Sequence, residues 1–138
     1  MSAPHQPKVY LGFDYGTKRV GVASGNSLMG QASGLTTIQQ LGDARFVAIL
    51  ELIKEWRPDQ LVVGVPRYPD GAEHQNTARA QRFARQLHGR TGLVVHEVDE
   101  RYSTVEAASQ NAEKGAGNQD IDAASAAVIL QQFLDHLT

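Results

Sequence analysis

The run Leu61-Val62-Val63-Gly64-Val65, closed by Pro66, limits the possible folds of this chain more than any other stretch. It is almost continuously apolar and too short for a helix, so it reads as a strand buried on both faces, with a layer of structure on each side. A chain of 138 residues, 41% hydrophobic and 20% charged, can build one such core but hardly two. No apolar run approaches the ~20 residues that a membrane span needs, and the leading residues carry prolines without an apolar stretch. The expectation is a flexible leader over residues 1–7, a single domain over 8–138, no membrane association and a cytoplasmic location.

Around that strand the pattern is legible in both directions. Val9, Leu11 and Phe13 alternate with Tyr10, Gly12 and Asp14, the period of a strand with two distinct faces, which puts Asp14 opposite Phe13. Tyr15-Gly16-Thr17-Lys18 suits a hairpin turn, and Arg19–Ser24 returns as a second strand whose Gly21 and Ala23 leave space beside the carboxylate. A third strand is expected near Gly34–Ile38. From Gly42 to Trp56 the apolar residues Phe46, Ile49, Leu50 and Ile53 recur at helical spacing, with Pro58 to stop the helix. Beyond the buried strand, a helix fits Asn76–His88 and a strand Leu93–Val98. Ser103 with Glu106 forms a capping box for a helix from about Thr104, and a last helix starts near Ile121, with Asp120 suited to be its N-cap. Three antiparallel strands, then two parallel ones separated by helices, make a five-stranded mixed sheet flanked by helices, the ribonuclease H-like arrangement.

This topology can bring three carboxylates together: Asp14 on the first strand, Glu100 at the end of the fifth and Asp122 on the last helix. Asp99 points to the strand face opposite Glu100, and Asp120 lies about 200° round a helix from Asp122. Each of the three also fits an ordinary role: a turn acceptor for Asp14, a surface ion pair with Arg101 for Glu100, a first-turn acid for Asp122. Taken together they suit Mg²⁺ or Mn²⁺, which prefer oxygen ligands and, as a pair of ions, can serve phosphodiester hydrolysis. The absence of cysteine excludes thiolate zinc sites and thiol catalysis, and the five histidines show no ligand spacing. Lys18 and Arg19 beside the Asp14 turn, and Arg67 beyond the central strand, are candidate phosphate contacts. Arg79, Arg82 and Arg85 read as a solvated helix face. A net charge of -2 argues against strong nonspecific nucleic-acid binding while allowing a local groove.

The motifs G-F-D-Y-G-T-K-R-V-G-V-A, G-V-P-R-Y-P-D-G, V-D-E-R-Y-S-T-V-E-A and D-I-D-A-A-S-A-A-V-I-L, in that order, closely resemble the YqgF family of ribonuclease H-like proteins. The resemblance spans Val9 to Leu134. Members are described as Holliday junction resolvases by similarity of fold and as nucleases maturing the 5′ end of pre-16S ribosomal RNA. The resemblance implies a metal-dependent nuclease of the two-ion type, with Asp14, Glu100 and Asp122 as ligands and catalytic acids. It implies a role in ribosome biogenesis on a ribosome precursor, with structured RNA expected ahead of branched DNA. The alternatives are a junction resolvase or a weakly catalytic nucleic-acid-binding module. An aspartate-glycine hairpin also occurs in actin-like ATPases, but those close two domains around a nucleotide. Two departures from the family pattern stand out: Ser24-Gly25-Asn26-Ser27 carries an amide where an acid is usual, and Lys114-Gly115-Ala116-Gly117-Asn118-Gln119 holds a single cation.

Overall fold

The computed structural model describes residues 7–68, 70, 72, 75–100 and 118–137, with backbone alone for 118–120. Strands β1 (Val9–Tyr15), β2 (Val20–Asn26) and β3 (Gln31–Ile38) form an antiparallel meander. Helix α1 (Gly42–Trp56) leads to β4 (Gln60–Val65), α2 (Thr77–Thr91) to β5 (Val94–Asp99), and α3 (Asn118–Asp135) closes the described chain. The sheet order is β3-β2-β1-β4-β5, with β4 parallel to both β1 and β5. This is the mixed five-stranded sheet that the sequence implies. No helix among the described residues is long and apolar enough to cross a membrane.

Strand alternation sorts the interior into two layers. On one face Leu11, Phe13, Val20, Val22, Leu61 and Val63 pack against Phe46 and Ile49 of α1 and Phe83 and Leu87 of α2. On the other, Tyr10, Ala23, Val62 and Val98 meet Ala126, Ile129, Leu130 and Leu134 of α3. The central strand is buried on both faces, with Leu61, Val62 and Val63 all at 0% exposure. Arg79, Arg82 and Arg85 face solvent.

Several elements depart from the sequence expectation at their ends. β3 begins three residues earlier than Gly34, because Gly30 at φ 66° makes the tight turn that lets the hairpin continue. α2 runs to Thr91 and stops at Gly92, whose left-handed conformation sends its N–H to the His88 carbonyl at 2.8 Å. α3 starts at Asn118, so Asp120 lies inside the helix and is not its N-cap. The helix expected from Thr104, with Ser103 and Glu106, lies outside the described residues, as do 114–117 of the sparsely basic segment.

α3 approaches the sheet closely enough to touch its backbone. A Cβ on Gly12 would sit 2.8 Å from the Leu130 Cβ, one on Gly34 3.1 Å from the Ala123 backbone, and one on Gly21 would overlap the Asp122 carbonyl. The space that Gly21 opens beside Asp14 is therefore filled by the helix and is not left for a substrate. Ala23 is likewise fully buried against α3. Gln131 pins the same helix to the β2–β3 hairpin, its amide donating to the Gly30 carbonyl at 2.8 Å and accepting from Ala32 N–H at 2.9 Å. Gly21→Ala is expected to force α3 off the sheet and to cost about 1–3 kcal/mol in denaturant unfolding, whereas alanine at solvent-facing Gly89 costs far less. Equal costs at the two positions would contradict this packing.

Candidate active site

Asp14 lies near the carboxyl end of β1 on the face that α3 covers, between two glycines of the neighbouring strands. Gly21 of β2 is its direct antiparallel partner, and on β4 the pairing of Phe13 with Val63 brings Gly64 to the next step along. The two glycines admit different neighbours. Gly21 seats the backbone of Asp122, while a side chain at Gly64 would collide with the Glu100 carboxylate. The backbone of Asp122 and the carboxylate of Glu100 thus approach the two strands that flank Asp14, because those strands carry no side chains there. Gly64 reads in sequence only as part of an apolar run. A glycine interrupting such a run is itself a signal of close approach.

The supports of these groups are also visible. Glu100 directly follows β5, whose end is tied to α3 by the Gln132 amide donating to the Asp99 carbonyl at 3.3 Å. Asp122 accepts from Arg19 Nε at 2.6 Å. The turn carrying Arg19 is held by Arg45 of α1, only 6% exposed, which donates to the carbonyls of Gln40 at 3.1 Å and Thr17 at 3.2 Å and lies over the Tyr15 ring. Helical spacing alone gave no sign of that role for Arg45. Lys18 is exposed on the same turn, and the partly buried Arg67 follows the carboxyl end of β4, at the same end of the sheet as Asp14. Asn26, the amide in place of an acid, lies at the opposite end of β1, where it caps the turn by accepting from Met29 N–H at 2.7 Å.

Among the described residues, Asp122 is paired with Arg19, while no cationic side chain is seen bonded to Asp14 or Glu100. Burial, then the neighbouring charge of Asp122, pushes the Asp14 carboxyl up to about 7. Burial, then Asp14 and Asp99, pushes Glu100 up to about 8. Among the described residues, Glu100 Oε1 is buried without a hydrogen-bond partner. Such an orphaned anionic oxygen beside a second carboxylate fits a hard divalent cation, which takes oxygen ligands and relieves the repulsion. Among the described residues, no three acidic or imidazole side chains already converge as a cation-holding group. Asp14 and Glu100 make up the electrostatically strained pair, and Asp122 is turned to Arg19.

The raised carboxyls have a consequence for stability. Unfolded carboxyls titrate near pH 4, so between about pH 4 and 8 the folded chain holds more protons and their contribution to stability falls as pH rises. In cation-free buffer, Glu100→Gln is expected to melt roughly 3–6 °C above the wild type at pH 8.5, with the gap closing towards pH 5. A gap that does not change with pH would contradict the burial of an unbalanced carboxylate.

The family model described as "RuvX: Holliday junction resolvase" matches residues 8–136. A Polaromonas sp. protein named "Putative pre-16S rRNA nuclease" is 55% identical over 130 residues, covering 94% of this chain and 90% of its own. A protein of the same name from Burkholderia pseudomallei is 53% identical over 128 residues, covering 92% and 88%. Among solved structures, Thermus thermophilus RuvC in complex with a Holliday junction substrate superposes with a TM-score of 0.58, covering 92% of this chain and 93% of that one. At 17% identity that likeness concerns the fold, which is ribonuclease H-like. With the family model spanning nearly the whole chain and curated relatives above half identity, the chain belongs to the RuvX family, the YqgF family whose motifs it carries.

Proposed function

We propose that this protein is a divalent-cation-dependent nuclease that processes the 5′ end of pre-16S ribosomal RNA. The observation that carries the reading is the pair of partly buried acids Asp14 and Glu100, with Glu100 Oε1 buried and unpartnered among the described residues, in a chain whose relatives are named for that activity. Asp14 and Glu100 would hold Mg²⁺ or Mn²⁺, with Asp122 as the third acid of the site and room in the proposal for two ions. A bound cation supplies Lewis-acid stabilisation of the phosphodiester and of its leaving oxygen.

The protein's own groups do the remaining work. Asp14 sits on a central strand between β2 and β4, so its carboxylate would need little reorganisation during reaction. Burial under α3 keeps the local dielectric low, which strengthens every charge interaction there. Lys18 on the exposed turn and Arg67 beyond β4 are the contacts that would hold the phosphate backbone at the mouth of the site. The products expected from this chemistry carry a 5′ phosphate and a 3′ hydroxyl. The domain carrying all of this is the one expected over residues 8–138. A second reading, resolution of four-way DNA junctions, is favoured by the description of the family model.

The test sets precursor 16S ribosomal RNA beside a synthetic four-way junction, each with Mg²⁺, Mn²⁺ or chelator. The expected outcome is cation-dependent cleavage of the RNA at its 5′ end, reduced at least roughly 100-fold by Asp14→Asn. Cleavage that survives Asp14→Asn or chelation would sink the mechanism. Cleavage of the junction in preference to the RNA would replace the substrate.

A further inference from the structure

Two salt bridges between described residues differ in kind. Arg90 and Asp43 meet at 3.4 Å on the surface, with the Asp43 side chain 94% exposed. Arg19 and Asp122 meet at 2.6 Å, and the Asp122 side chain is only 19% exposed. The second pair sits inside the acidic site, where Asp122 adds its charge to that already felt by Asp14. Both partners are anchored through their backbones: Asp122 rests on Gly21, and the Arg19 turn is clamped through Thr17 by Arg45. The anchors fix where each residue starts, while the Arg19 side chain, 37% exposed, retains an open path towards solvent.

Charge counting gives this pair a purpose. Asp14, Glu100 and Asp122 bring up to three negative charges, and Arg19 is the one cation seen bonded to any of them among the described residues. A divalent ion balances Asp14 and Glu100, but it also attracts Asp122, whose Oδ2 is already committed to Arg19. Two cations then compete for one carboxylate, and the like charges of the guanidinium and the incoming ion repel. We infer that Arg19 is a positioning residue that serves as the resident counter-ion of Asp122, is displaced when a divalent cation enters, and is thereby released to face the substrate phosphate. Loading of the cation and recruitment of phosphate are thus coupled through one side chain. This extends the cation-site reading above and rests on it.

The experiment uses the full chain freed of metal, with Mg²⁺ alone as the probe. Calorimetric titration compares wild type, Arg19→Gln, Arg19→Lys and Asp14→Asn, with circular dichroism to establish folding. In parallel, the Arg19 Nε–H resonance, assigned by its loss in Arg19→Lys, is followed as Mg²⁺ is added. The expected result is that Arg19→Gln binds Mg²⁺ at least roughly five-fold tighter, because the competitor is gone, whereas Arg19→Lys stays near wild type. A merely structural arginine gives the opposite sign. The Nε–H resonance is expected to leave its hydrogen-bonded position as Mg²⁺ saturates. Unchanged or weaker Mg²⁺ binding in folded Arg19→Gln, or an unmoved resonance while wild type binds Mg²⁺, overturns the inference and leaves the cation site standing. A wild type that binds no Mg²⁺, or an Asp14→Asn that binds it equally well, overturns the cation site and this inference with it.

Discussion

Contact between α3 and the bare backbone of the sheet is the constraint on which the rest of this structure depends. Gly12, Gly21 and Gly34 lie under the helix, and any side chain there would meet Leu130, Asp122 or Ala123. An apolar interface of ordinary depth would hold the helix about 10 Å from the sheet, too far for a short aspartate on α3 to act on one in β1. Removing the side chains lowers the helix and brings Asp122 to the level of Asp14. Ile129, Leu130 and Leu134 then hold it there by burial. The same contact that completes one half of the core therefore assembles the site.

What that assembly costs is visible in the carboxylates. Two acids pushed up to about 7 and about 8 are an electrostatic fault in a cation-free protein. The surrounding packing keeps them in place: Gln132 holds the end of β5, Gly64 leaves the room that Glu100 occupies, and Arg45 secures the turn opposite. Sites that violate the rules of a stable core are where function is expected. Among the described residues the violation has one sign and a hard-oxygen character, which fits a divalent cation.

Much of this was legible in the residues. The continuous apolar run over Leu61–Val65, the alternation from Val9 to Asp14 and the helical period over Gly42–Trp56 each reflect burial on a regular lattice, so the sheet and its helices could be read from spacing. Strand alternation and helix rotation separate Glu100 from Asp99 and Asp122 from Asp120, but they do not say which of each pair faces the site, and the cap role that favoured Asp122 over Asp120 is not what the helix shows. Helix ends were less legible: α3 extends past the apparent cap at Asp120, and α2 past His88 to the left-handed Gly92. Tertiary contacts escaped altogether. Nothing in local pattern marks Arg45 as the clamp of a turn 28 residues away, or pairs Arg19 with Asp122 across 103 positions. Gly21 reads in sequence as open space, but which atom fills such space is decided only when the helix docks.

The central claim is that a divalent cation belongs between Asp14 and Glu100. Its most direct test is an anomalous-scattering crystal structure of the protein soaked in Mn²⁺. A manganese peak within coordination distance of an Asp14 carboxylate oxygen and Glu100 Oε1, at about 2.0–2.4 Å, is the predicted result. Manganese bound elsewhere on the molecule, with Glu100 Oε1 still buried and unpartnered, would contradict it.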